Sequence, residues 1–253
     1  MKKFFVVLLA IIVLAAVFLV YNNTNPDTVI SELTKQGSIR PGELNYQIQL
    51  FGFIPVGNAV FKTAQEIDFK GEKAYYLNAS AQSLNSISGF FAASAMMDTY
   101  LDKTGLNPMF FKQTLNIKGK PSLVKEAEYF QKQGVMTIAG EKRSIPFGTQ
   151  DSLSLMYNIR HMDFDKVKDF EFNLNTNQKN YTFKGTSRNK ELSVGGKDYK
   201  LAFVKAEIFR KDKNPYHRSK VEFVLLKDKE NIPILIKVYA SGAFINIRLM
   251  EIK

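Results

Sequence analysis

The stretch Leu44-Asn45-Tyr46-Gln47-Ile48-Gln49-Leu50 decides the fold class. Its large apolar residues fall at every second position and amides fill the gaps, which is the period of a half-buried β-strand. Phe51-Gly52-Phe53-Ile54-Pro55-Val56-Gly57 then supplies the glycines and proline of a reversal. Ala59, Phe61, Thr63 and Ile67 continue the alternation to Lys70-Gly71, so a hairpin is expected. Similar runs follow at 74–83, 96–102, 109–118, 124–131 and 135–139, and again at 170–175, 181–186, 199–208, 220–226, 234–239 and 244–252. Turn-forming stretches such as Asp102-Lys-Thr-Gly and Gly195-Gly196 separate them.

One segment departs from this rhythm. In Asp151-Ser-Leu-Ser-Leu-Met-Tyr-Asn-Ile-Arg160 the apolar residues 153, 156 and 159 follow helical spacing behind a good N-cap, which predicts a helix over about 152–162. About a dozen strands with one or two short helices do not form a flat sheet. The expected fold is mainly β: an antiparallel curved sheet forming a closed or half-open barrel.

The N-terminus reads differently. After Lys2-Lys3, residues Phe4 to Tyr21 are eighteen positions without a charge. At ~1.5 Å per residue they nearly cross a ~30 Å hydrocarbon layer. The cationic flank lies wholly on the N-terminal side, so the expected topology is cytoplasmic N-terminus and exported domain. A cleaved signal peptide is the alternative. Phe18-Leu-Val-Tyr21 lacks a small-x-small site, and Ala15-Ala16 is a poor substitute, so the anchor is favoured. The implied organisation is an anchor at 1–21, a linker at 22–40 in which Val29, Ile30 and Leu33 could make one helical turn, and a β domain at 41–253. The expected location is the inner membrane with the domain periplasmic, or the periplasm after cleavage.

The 35 Lys+Arg outnumber the 24 Asp+Glu by eleven, and Lys2 and Lys3 account for two of these charges. Outside the cytoplasm a basic surface meets anionic lipid or envelope polymer before nucleic acid, so the former are the expected partners, together with the membrane itself and a candidate envelope protein. The bland reading is a solvated basic face. Absence of cysteine excludes disulfides, thiolate chemistry and lipoprotein acylation.

Four stretches taken in order resemble the bacterial family known as domain of unknown function 3108. They are Tyr46 to Phe61 with Ile54-Pro-Val-Gly57, Asp98-Thr-Tyr-Leu-Asp102 to Pro108-Met-Phe110, the Asp151 to Arg160 helix, and the closing segment from Ile232-Pro233 to Arg248. Together they cover about residues 43–252. The resemblance implies an exported β domain, similar in outline to the curved open barrels of lipoprotein carriers, with no established activity. Lacking a cysteine, the chain resembles the family's membrane-tethered members.

Within those motifs Asp98, Tyr100, Asp102, Pro108, Asp151, Tyr157 and Arg160 are read as structural, with an aspartate capping a turn or pairing with Arg160. A carboxylate pair at 98 and 102 could also be asked for acid–base work, but no catalytic constellation is recognised. His161 and His217 have no metal-ligand spacing, and no cofactor or metal site is expected. Phe51, Phe53, Phe90, Phe91, Met96 and Met97 are the candidate ligand-binding residues, because paired aromatics and flexible thioethers suit an acyl chain. They serve equally as core at one end of a barrel. The expected function is a non-enzymatic, membrane-tethered binding module holding a lipid or other amphiphile. The alternative is an envelope scaffold or assembly protein with a filled barrel.

Overall fold

The computed structural model describes residues 25–35, 42–85, 92–176, 178–210, 219–240 and 243–253. The apolar segment 4–21 and the candidate residues Phe90 and Phe91 lie outside them. No helix among the described residues is long and apolar enough to cross a membrane.

Helix α1 (Pro26–Lys35) precedes nine strands: β1 (Leu44–Leu50), β2 (Ile54–Phe61), β3 (Gln65–Phe69), β4 (Glu72–Ser83), β5 (Ala93–Asp102), β6 (Pro108–Ile117), β7 (Leu123–Phe130), β8 (Val135–Ile138) and β9 (Glu141–Ser144). Helix α2 (Ser152–His161) follows, then β10 (Asp169–Thr176), β11 (Lys179–Val194), β12 (Lys197–Phe209), β13 (Ser219–Leu226), β14 (Ile232–Ala240) and β15 (Ala243–Ile252). The fifteen strands of the described residues form one sheet, ordered β10 to β15, then β1, β2 and β4 to β9, with β3 paired only to β4. Each half is a meander, and antiparallel pairing of β15 with β1 joins the halves.

Tight turns set the register. Lys70-Gly71, Ala139-Gly140 and Gly195-Gly196 each place two residues at positive φ, as the two-residue hairpin turn of mirror-image type I requires. The expected second strand is interrupted. β2 stops at Phe61, and β3 turns aside to pair with β4 alone after the Lys62 N–H bonds to the Asn78 carbonyl. Gly57 is needed where β2 approaches β4, because a Cβ there would lie 2.7 Å from the Gln82 carbonyl oxygen.

The sheet curls but does not close. β9 and β10 remain its edges; Gln150, in the connection after β9, makes a parallel bridge to Leu174 of β10, and side chains also reach across. Asn180 Nδ2 donates to the Ser144 carbonyl (3.0 Å), and Arg143 Nη1 to that of Gln178 (3.2 Å). Right-handed strand twist accounts for the curl.

Helix α2 lies inside the curl and fills one end. Leu153 packs on Leu77, Ala79 and Leu101, while Leu155 and Ile159 pack on Phe183, Val204, Phe223 and Ile236. Its start is fixed by Asp151, whose Oδ1 accepts the N–H groups of Leu153 and Ser154, while the Ser154 hydroxyl accepts the Asp151 N–H.

The linker expectation for 22–40 needs correction over residues 26–35. α1 buries Val29, Ile30 and Leu33 against the other face of the sheet. Register makes this possible: Val204, Phe223, Ile236 and Ile247 align across β12 to β15 toward α2, and their neighbours Phe203, Val224, Leu235 and Arg248 align on the opposite face. The apolar runs Phe223–Leu226 and Ile232–Ile236 are therefore covered on both faces, which explains why they do not alternate.

Candidate functional site

The chain termini of the barrel meet at the filled end, where Glu43 and Lys253 exchange backbone hydrogen bonds of 2.8 and 2.9 Å. The connections β1–β2, β4–β5, β6–β7 and β14–β15 lie at the opposite end. Inward side chains change character along the way. Near the filled end Leu44, Tyr46, Leu77 and Leu101 are at most 4% exposed. Toward the other end the inward positions Ile48, Ala81, Ala95, Leu115 and Ile245 are only half-buried, although they are as apolar. Leu123, paired with Leu115, is 47% exposed, and Ile54, paired with Leu50, is 40% exposed.

This unfilled half forms a cup whose wall is apolar from Ile48 to Leu115, with Gln113 and Lys125 inward beyond it. A shallow recess in it holds about 210 Å³ and is walled by Ile48, Val56, Gly57, Ala81, Ala95 and Leu115. Small side chains on adjacent strands leave the space: Ala81 faces Ala59 on one side and Ala95 on the other. Ser83 and Ala93, which flank the β4–β5 connection, also line it, and the Ser83 hydroxyl accepts the Ala93 N–H at 3.0 Å. The Lys118 N–H bonds to the Ala92 carbonyl, which places the lysine-bearing β6–β7 turn, with Lys118 and Lys120 exposed, at the rim.

The candidate ligand residues divide. Phe51 is 47% exposed in the β1–β2 turn, with Phe53 half-buried beside it. Met96 and Met97 point to opposite faces, as neighbours in a strand must. Met97 faces inward and packs with Leu77 and Leu101 beneath the cup; Met96 is 45% exposed on the outside and does not contribute to it. Phe90 and Phe91 belong to the connection between Ser83 and Ala93. Alternation put Ile48 on the apolar face of its strand, but Ile48, Ala81, Ala95 and Leu115 were not among the candidate ligand-binding residues. The one available signal was the set of small residues at alternate positions in 79–95.

The motif residues resolve into separate structural tasks. Asp102 caps its turn, Oδ1 accepting the N–H groups of Thr104 and Gly105 and Oδ2 that of Asn107. Asp98 lies on the outer face and accepts from the Tyr76 hydroxyl (2.6 Å) and Asn78 Nδ2 (2.8 Å). Beside it Tyr100 stacks on Phe69 at 4.2 Å. Of the two expected roles, turn capping holds at Asp102, while neither aspartate meets Arg160, whose Nη2 bonds to Glu230 Oε2 at 2.7 Å. That partner lies in the β13–β14 turn, where the Asn231 N–H and Nδ2 also donate to the Arg160 carbonyl. Tyr157 sits between the rings of Tyr75 and His161. The Pro108 carbonyl accepts from Gln131 Nε2 at 3.4 Å.

Asp151 is the one deeply buried carboxyl of the motifs, at 1% exposure. Desolvation pushes its pKa up to about 6, against the lowering effect of hydrogen bonds from Ser154, Leu153 and Thr99. The Thr99 hydroxyl donates to Oδ1 at 3.1 Å. Among the described residues no group of three or more His, Cys, Asp or Glu side chains is placed to hold a metal ion.

A mainly antiparallel, incompletely closed barrel with an apolar recess defines a β-barrel-like domain. The family model for "Protein of unknown function (DUF3108)" matches residues 45–245, and the chain belongs to that family. A solved structure similar to it is the β-barrel-like protein of domain of unknown function DUF1849 from Brucella abortus. The TM-score is 0.59 at 12% identity, with 84% of this chain and 98% of that one covered. No curated protein matches.

Proposed function

We propose that the protein is a non-enzymatic binding module of the cell envelope that grips the hydrocarbon part of an amphiphile in the cup. The carrying observation is the inward apolar surface left half-exposed from Ile48 to Leu115, where a folded domain would otherwise fill its interior. The recess is smaller than the ~300–1,000 Å³ of a typical ligand pocket, so it suits a chain end and leaves the polar head outside. Lys118 and Lys120 at the rim favour an anionic lipid or envelope polymer. The uncharged run Phe4–Tyr21 supports tethering to the inner membrane, with the domain on the periplasmic side.

A second reading is favoured by the filled end. There α2 occupies the interior as core, which suits a scaffold that binds another envelope protein by its surface. Native mass spectrometry of the full chain, released from membranes in mild non-ionic detergent, separates the two. The module carries an extractable lipid-sized adduct. A spectrum with only the bare chain, or one carrying a stoichiometric protein, counts for the scaffold.

A further inference from the structure

The gap between the sheet edges contains a second cavity, of about 480 Å³, whose chemistry is opposite to that of the cup. Its cationic lining residues are Arg143, Lys179 and Arg210, and among the described residues no carboxylate lines it. Asn173, Asn175, Gln178 and Asn180 add amides, and Ser144 and Thr182 add hydroxyl groups. A larger groove, beside Thr34 and the β11–β12 turn, lacks this bias, because Asp198 and Asp228 stand there among its lysines.

The polar array is held in place. Asn175 Nδ2 donates to Asn180 Oδ1 (2.7 Å), Asn180 Nδ2 to the Ser144 carbonyl, and Asn173 Nδ2 to the Phe147 carbonyl (3.2 Å). Arg143 is steadied by the Gln178 carbonyl and by the exposed Glu141 at 2.9 Å. A donor array already fixed by the fold loses little entropy when a ligand arrives. Gln178 lies in the β10–β11 turn and Arg210 at the end of β12, facing Arg143, Ser144 and Pro146 at the end of β9 across the seam.

We infer that this seam cleft binds an anionic, hydroxyl-rich group of the phosphorylated polyol or sugar class, with Lys179 and Arg210 taking the phosphate and the asparagine amides the hydroxyls. Cations with nearby amides suit such a group because phosphate oxygens accept charge-assisted bonds while hydroxyls both donate and accept. Assigning that group to the head of a lipid rests on the amphiphile reading above; the chemistry of the cleft does not.

The test is calorimetric titration of the full chain in non-ionic detergent with dihexanoyl-phosphatidylglycerol, dihexanoyl-phosphatidylcholine and glucose 1-phosphate. Phosphatidylglycerol is expected to bind more tightly than phosphatidylcholine, and Lys179→Gln and Arg210→Gln are each expected to weaken it about tenfold. Lys197→Gln, which removes an equal charge at the opposite end, should leave binding unchanged, and thermal melting checks that each variant is folded. Binding of glucose 1-phosphate with the same sensitivity to both substitutions supports the site and assigns it a soluble source. If Leu115→Lys leaves phosphatidylglycerol affinity intact while Lys179→Gln lowers it, the cup reading fails and the seam site stands. Failure of both anions to bind, or equal affinity for wild type and the two seam variants, overturns the inference.

Discussion

Glu32 of α1 and Arg248 of β15 meet at 2.7 Å on the sheet face turned away from α2. The arginine side chain is 7% exposed and the glutamate 44%, so the pair sits at the boundary between packing and solvent. Removing the carboxylate takes one ion-pair partner from a buried guanidinium, a change that costs more than loss of a surface pair. Glu32→Ala should lower unfolding free energy by about 1–2 kcal/mol, and Ile30→Ala, at a fully buried position, by about 2–4 kcal/mol. Denaturant titration checks both. An unchanged midpoint for Ile30→Ala would mean that α1 does not stay on the sheet.

Arg160 and Glu230 join α2 to the β13–β14 turn across seventy residues of sequence. Arg160→Ala should destabilise by about 2–3 kcal/mol, with a coupling of about 1–2 kcal/mol to Glu230→Gln in a double-mutant cycle. Asp98→Asn should show no coupling to Arg160. Coupling to Asp98 in place of Glu230 would refute the assigned pair.

Asp151 should make stability depend on pH in the direction opposite to that of an ion-paired carboxylate. Its folded pKa of about 6 exceeds the ordinary 3.8, so between those values the native state holds the proton more tightly than the unfolded chain. Stability from this group therefore rises as pH falls from 7 toward 4, by about 1–3 kcal/mol in total, and is lost again as pH climbs through 6. Asp151→Asn keeps an oxygen for the cap and abolishes the slope. Unfolding free energies of both proteins at pH 7 and 4.5 give the comparison, and parallel behaviour would rule out a titrating Asp151.

Gly57 faces the Gln82 backbone too closely for a side chain. Gly57→Ala should cost about 1–3 kcal/mol by forcing β2 from β4, read as a lower melting temperature. A neutral substitution would show that the two strands separate without penalty.

Much of the fold was legible because local chemistry decided it. Leu44 to Leu50 alternate, Asp151 is a good cap before an amphipathic turn, and Gly195-Gly196 marks a hairpin. Features that depend on distant partners were not. Nothing near Leu44 says that β1 pairs with β15, and nothing near Ser144 says that the sheet opens there. Val29, Ile30 and Leu33 looked too few for a helix because their support comes from Leu235 and its neighbours, some two hundred residues away. The aspartate partner offered for Arg160 as an alternative to turn capping gives way to Glu230 for the same reason. Alternation identified Ile48 as inward but carried no information about whether the facing wall would touch it, and so the cup was recognisable only from the packed chain.

Photocrosslinking tests the central claim most directly. A benzophenone side chain placed at Leu115 in the full chain and irradiated in native membranes should give an acyl-lipid adduct by mass spectrometry, whereas the same group at Thr114, on the outer face of β6, should give several-fold less. Equal labelling at the two positions, or intramolecular crosslinks alone from position 115, would contradict an apolar cup that receives a hydrocarbon chain.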